Sequence, residues 1–174
     1  MGIPSYFSHI VRSHRSIIKK YNPLVTKMDN LYLDCNSIIY DSVREITDIH
    51  NSLAFEKRLI ELVNKKIVYY INLIKPRRRV FIAFDGVAPV AKLDQQRNRR
   101  YKSWFEKHIC ETVDGSQKSS IFQWNTVSIT PGTEFMDKLG RGVHQFFRNK
   151  KKFGLEELIV SPSDEAGEGE HKIY

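Results

Sequence analysis

Four carboxylates and one short row of cations are the residues of this chain best placed to do chemistry. Asp34 follows the apolar run Leu31-Tyr32-Leu33, and Asp85 follows Val80-Phe81-Ile82-Ala83-Phe84. Glu168 and Glu170 alternate with Gly167 and Gly169 shortly after Leu158-Ile159-Val160. Carboxylates without a histidine-cysteine set suit a hard cation, magnesium or manganese, rather than zinc. Several of them around one pocket can hold two such ions, which activate a water and stabilise the attacking and leaving oxygens of a phosphodiester. A plainer reading also fits: Asp34 caps a helix, Asp85 opens a turn and the glutamates lie in a solvent loop. Spacing leaves both open. The glycines flanking Glu168 favour the functional one, because they allow close backbone approach.

The cations follow Asp85 directly, in the stretch from Lys92 to Lys102. On a helix, Lys92, Gln96 and Arg99 fall within an arc of about 60°, with Arg100 flanking it. Lysine supplies a point charge, arginine a planar fork and glutamine a neutral donor, a set that fits a terminal phosphate. Helix N-termini attract phosphate as well. Leu93, Tyr101, Trp104 and Phe105 fall on the opposite side and are expected to pack inward. The alternative is a solvated basic face. Tyr40, six residues after Asp34, can stack on a base or serve the core. The histidines show no metal spacing, although His171 stands next to Glu170.

These groups need a scaffold. Pro4 and the apolar spacing of Tyr6, Phe7, Ile10, Val11, His14, Ile17 and Ile18 predict an opening helix. A short buried strand ends on Asp34, and Asn36 or Ser37 caps the helix that follows. A longer helix runs from about Ala54 to Ile74, with Pro76 beyond it. Val80 to Phe84 reads as a strand, Lys92 to Phe105 as a helix, and residues 111–120 as an exposed loop. Thr133 caps a helix from Glu134 to about Lys150, and Leu158 to Val160 forms the last strand. Strands alternating with helices predict an α/β fold, a mostly parallel sheet with helices covering its faces. Ligands of such sheets sit beyond the carboxyl ends of the strands, the edge that Asp34 and Asp85 occupy.

Bulk properties narrow the classes. The chain has 174 residues, one domain or part of a larger one, and 41% of them are hydrophobic, enough for a real core. Its apolar runs fall short of the ~20 residues of a membrane span, and its start lacks a secretory signal. Met1-Gly2 suggests myristoylation, but Tyr6 stands where that motif needs Ser or Thr. Two cysteines, Cys35 and Cys110, suit a reducing, intracellular setting. A net charge of +8 favours a polyanionic partner. The cations cluster at Arg77-Arg78-Arg79, Lys92 to Lys102 and Arg148 to Lys152; the last cluster reads as a solvated helix end rather than a nuclear signal. A cytoplasmic setting is therefore expected over a nuclear one.

At these residues the sequence resembles the XRN 5′→3′ exoribonucleases, relatives of the flap-endonuclease and PIN-like nucleases. The resemblance rests on MGIPSYFSHI at the start, DNLYLDCNSIIY at 29–40, FDGVAPVAKLDQQRNRR at 84–100, TPGTEFMDKL at 130–139 and GEGEHKIY at 167–174. It implies hydrolysis of single-stranded RNA from a 5′-monophosphate end to nucleoside 5′-monophosphates, with magnesium (or manganese) on an acidic cluster, as in mRNA decay. It places Asp34, Asp85, Glu168 and Glu170 on metal-site acids, and Lys92, Gln96, Arg99 and Arg100 on the 5′-phosphate pocket. Tyr40 stands where the family often carries a base-stacking histidine, and Ala166 where a proline is common. The resemblance also implies that residues 1–174 are the N-terminal segment of one nuclease domain. Further strands and metal-binding aspartates would follow, leaving an incomplete sheet and ligand set here. A magnesium-dependent exoribonuclease is the first expectation. A non-catalytic binder of RNA 5′ ends, or a piece that needs a further nuclease-domain polypeptide, is the second.

Overall fold

The structure is a computed structural model, and it describes residues 5–23, 25–47, 49, 51–113 and 124–174, without the side chains of 99, 100, 103, 104, 106–108 and 110–113. Three parallel strands form one sheet in the order β1 (Asn30–Asp34), β2 (Arg79–Ala83), β3 (Glu157–Ser161). Parallel neighbours need long crossovers. The first consists of α2 (Asn36–Glu45) and α3 (Ser52–Ile74), the second of α4 (Val90–Val113) and α5 (Glu134–Phe146). Ahead of them lies α1 (Tyr6–Ser13), and after β3 a short α6 (Gly169–Ile173). The predicted α/β architecture is therefore present.

Local chemistry sets the helix ends. The Asn51 side chain accepts from the backbone N–H groups of Leu53 and Ala54 and so caps α3. Thr133 caps α5 by accepting from Met136, as its position ahead of Glu134 predicts. Along α3, Phe55, Leu59, Val63, Ile67 and Ile71 recur every fourth residue and are all buried, one apolar stripe against the core. They meet Phe135, Met136, Leu139 and Val143 of α5, with the Trp124 ring between Phe55 and Phe135 at centroid distances of 5.1 and 4.9 Å. Val80 and Ile82 of the central strand are fully buried, with Leu31, Leu33, Leu158 and Val160 beside them.

The opposite face of the sheet differs from the prediction of two covered faces. Tyr32, Phe81 and Ile159 stand side by side in register, and Tyr32 is 40% exposed. Strand β1 is thus half-buried on one face and exposed on the other. Three helix bounds differ as well. Helix α4 runs on to Val113 rather than ending near Phe105, so residues 111–113 of the expected loop are helical, and 114–120 lie outside the described residues. Residues 15–17 leave the α1 pattern as a 3₁₀ turn, and α1 buries none of its side chains. Helix α5 stops at Phe146, and Lys150–Phe153 form a separate 3₁₀ turn closed by Gly154 at φ 68°. The cations at 77–79 are not a free patch. Arg77 pairs with Asp29, Arg78 with Glu156 and Arg79 with Glu157, tying the three strands together at their amino edge.

Candidate nuclease centre

At the carboxyl edge of the sheet the chain is stitched into a small, rigid crossing of loops. The ladder runs past the strands: Cys35 N–H donates to Ala83 at 2.9 Å and Phe84 N–H to Ser161 at 3.0 Å. Beyond it, Gly86 N–H donates to the Gly167 carbonyl at 2.8 Å, and Gly167 N–H returns to Val87 at 3.2 Å. The turn after Asp85 is therefore zipped to the turn before Glu168. Both glycines are needed. A Cβ on Gly86 would run into the Glu165 carbonyl, and Gly167 sits at φ 99°, which disfavours L side chains. The Lys172 ammonium donates to Phe84 and Pro162 carbonyls at 2.9 and 2.6 Å and clamps the ends of β2 and β3. Ala166, where proline was expected, lies inside this clamped turn.

Gly169 is the point at which the acids meet. Its N–H donates to Asp85 Oδ1 at 2.7 Å. A Cβ there would lie 2.7 Å from Asp34 Oδ1, so Asp34 rests directly on the glycine backbone. Gly169 opens α6, with Glu168 before it and Glu170 after it. All four predicted carboxylates are thus within one small region. They are not one ligand shell as they stand. Among the described residues, the ligand atoms within 4.8 Å of one another come from Glu168, Glu170 and His171. His171, unremarkable by sequence spacing, enters because one turn of α6 brings its Nδ1 to 3.7 Å from Glu168 Oε2. The Asp34–Asn36 contact also honours the plainer reading, since Asn36 N–H donates to Asp34 Oδ1 at 3.3 Å.

Asn36 is the residue that spacing missed. It was expected to cap α2, but Cys35 holds the cap position, without a side-chain cap bond. The Asn36 amide instead donates to Asp85 Oδ2, and its oxygen accepts from Asp85 N–H at 3.3 Å. An asparagine at a helix start signals a cap, and nothing local reveals that its partner lies 49 residues away. Tyr40 is on the same side of α2 one turn later and is 38% exposed.

The charges are unevenly buried. Glu168 is nearly enclosed, with 5% of its side chain exposed, whereas Glu170 is half open. Lys92 reaches in from the first turn of α4 and binds Glu168 Oε2, with Glu170 Oε1 3.7 Å away. The Glu168 hydrogen bond raises the Lys92 pKa. Burial raises the Asp85 pKa, and Asp34 and Glu168 push it further up, while the Gly169 N–H and Lys92 pull it back. Burial lowers the Lys172 pKa against the acids around it. Gln96 is half-buried one turn after Lys92. Arg99 and Arg100 continue α4, but their side chains lie outside the described residues. The apolar side of α4 does not pack inward as expected: Leu93, Tyr101 and Phe105 are 43%, 64% and 57% exposed. Trp104 falls outside the described side chains. A cleft of about 430 Å³ lies away from these charges, between α5 and residues 162–164.

An all-oxygen donor group with one imidazole, set at the carboxyl edge of a parallel sheet, fits a hard divalent ion. A family model described as the XRN 5′-3′ exonuclease N-terminus matches residues 1–174. The chain belongs to that family. It is 35% identical to 5′-3′ exoribonuclease 1 of Saccharomyces cerevisiae and 33% identical to 5′-3′ exoribonuclease 1 of Homo sapiens, each over 99% of this chain. It is 31% identical to 5′-3′ exoribonuclease 2 of Gallus gallus, again over 99% of this chain. The chain spans 12%, 11% and 22% of the lengths of these three XRN relatives. It corresponds to their N-terminal part, and the PIN-like α/β sheet is in keeping with that membership.

Proposed function

We propose that the chain is the N-terminal portion of a magnesium-dependent 5′→3′ exoribonuclease that takes single-stranded RNA by a 5′-monophosphate and releases nucleoside 5′-monophosphates. One observation carries this reading: Asp34 and Asp85 converge on Gly169 between Glu168 and Glu170, while Lys92 enters the same group from α4. Asp34, Asp85, Glu168 and Glu170 would hold the metal. Bound there, a divalent ion supplies Lewis acidity and a water of lowered pKa. The protein's own part is placement. Asn36 and the Gly169 N–H fix the Asp85 carboxylate from two sides. Lys92, Gln96, Arg99 and Arg100 would receive the terminal phosphate, and Tyr40 would stack on the first base. Closing the strand's end against this face would set the direction of degradation.

A second reading has its own support. The chain spans a minor part of its relatives, and one face of its sheet is half open. A non-catalytic binder of RNA 5′ ends, or a piece completed by a further nuclease-domain polypeptide, is consistent with both. One assay separates them: the purified chain with magnesium and RNAs bearing a 5′-monophosphate, triphosphate or hydroxyl. Mononucleotides from the monophosphate RNA alone, lost in Asp85→Asn, are expected of the enzyme. Binding with that preference but no release identifies the binder. Indifference to the 5′ end would remove the phosphate assignment.

A further inference from the structure

Lys92 stands in an odd place for a residue that reads a phosphate. Its ammonium is not turned to solvent but bound to Glu168 Oε2, and it lies 3.7 Å from Glu170 Oε1. Glu168 is 5% exposed, so its carboxylate has little water to compensate its charge. The ammonium is the cation that compensates it. The same Oε2 also faces His171 Nδ1 at 3.7 Å, within the group of Glu168, Glu170 and His171 that could hold a metal. A divalent ion on this group and the Lys92 ammonium would thus claim the same carboxylate oxygens while repelling each other at close range.

We propose that Lys92 is an internal counter-cation of the metal site, and that a divalent metal, by displacing it from Glu168, frees it to bind a 5′-phosphate. Metal and terminal phosphate then bind with positive coupling through one side chain. The inference rests on the metal-site reading above and adds an order to it. Without metal, Lys92 is committed to Glu168, and the phosphate face lacks its first cation. With metal, Lys92 swings out on a flexible stem that is already 30% exposed, toward the side of α4 that carries Gln96 four residues on. Coupling is reciprocal: a phosphate that draws Lys92 away bares Glu168 and tightens metal binding by the same factor. Such a site would engage a 5′ end strongly only when it is loaded for hydrolysis.

The test is a Mn²⁺ titration by calorimetry at pH 8 of the wild-type chain and Lys92→Met. Each is measured with a hydrolysis-resistant RNA trinucleotide bearing either a 5′-phosphate or a 5′-hydroxyl. The wild type is expected to bind Mn²⁺ roughly 10-fold more tightly with the 5′-phosphate than with the 5′-hydroxyl trinucleotide. Lys92→Met is expected to bind Mn²⁺ more tightly than wild type with the 5′-hydroxyl form, and to gain little from the 5′-phosphate. Equal or weaker Mn²⁺ binding in the variant overturns the proposal, and so does an equal gain from the phosphate in both proteins, which would signal direct metal–phosphate contact. A second measurement avoids any folding defect of the variant. Acylation of wild-type Lys92, followed by mass spectrometry, should rise several-fold on adding Mg²⁺ while that of exposed Lys57 stays constant; unchanged Lys92 labelling at saturating metal refutes displacement. Failure of every protein to bind Mn²⁺ would instead remove the metal-site reading, and the coupling with it.

Discussion

The Asp85 carboxylate is held where its charge is unwelcome. It is partly buried, faces Asp34 and Glu168, and has a raised pKa as a result. A carboxylate whose folded pKa lies above its unfolded value disfavours the folded state above that folded pKa, and the penalty fades as pH falls through it. Asp85→Asn is therefore expected to leave the metal-free chain at least as stable as wild type at pH 7. Any gain should shrink on acidification, since a proton then does what the amide does. Thermal melts at pH 7 and pH 4 check this, and a large loss at pH 7 would mean that the carboxylate supports the fold. The same variant should lose roughly 100-fold or more in metal affinity. Gly169 makes the complementary case. Gly169→Ala places a methyl against the Asp34 carboxylate, an overpacking expected to cost about 1–3 kcal/mol. Manganese affinity should fall with it, because Asp34 and the Asp85 hydrogen bond both depend on that close approach. An alanine variant with wild-type melting and metal binding would show that Asp34 has room to move.

Lys172 shows what the elements contribute. It joins the carboxyl ends of β2 and β3 by two bonds to main-chain carbonyls, so Asp85 and the Glu168 turn are fixed relative to each other. Lys172→Met should destabilise by about 2 kcal/mol, since charged donors to carbonyls contribute 1.5–3 kcal/mol. Burial lowers the Lys172 pKa, so the unfolded chain binds this proton more tightly than the folded one. The cost to stability is full below the folded pKa and disappears as pH rises from there toward 10.5, the ordinary lysine value. The gap between wild type and Lys172→Met should accordingly widen in urea melts as pH rises toward 10.5; a narrowing gap contradicts this. How far these elements could be read from sequence follows the range of the interaction. The strands at 30–34, 79–83 and 157–161 and the stripe of α3 are local patterns of apolar residues, and they came through with small shifts at their ends. The position of Asp34 and Asp85 at a strand end is equally local. Asn36 and Lys172 were missed as partners because their contacts to Asp85 and Phe84 depend on a crossing of segments far apart in the chain. His171, by contrast, meets Glu168 within one helical turn that two flanking glycines concealed. The side of α4 failed for a different reason: helical periodicity marks Leu93, Tyr101 and Phe105 as one apolar face, but cannot say whether anything packs there.

At the level of the whole molecule, the compact core and the uncovered apolar surface lie side by side. The α3–α5 side of the sheet is closed by Val80, Ile82, Leu59 and Leu139, all fully buried. The other face leaves Tyr32 40% exposed, and Phe7 of α1 and Tyr101 and Phe105 of α4 are exposed as well. Large apolar side chains left exposed on several elements are where further protein is expected to pack. The relatives have such material, since this chain spans only 11–23% of their lengths. If the open faces are where the rest of a nuclease domain sits, a second polypeptide carrying the remainder of a relative's nuclease region should bind this chain. The binding should bury Tyr32 and Tyr101, seen as loss of acrylamide quenching in single-tyrosine probes. It should also raise mononucleotide release from 5′-phosphorylated RNA by more than 10-fold over either piece, because metal chemistry depends on a complete and fixed ligand set. A complex that forms without protecting those tyrosines would place the missing protein elsewhere. Protection without a gain in release would mean that the acidic edge built around Gly169 binds RNA ends rather than cuts them.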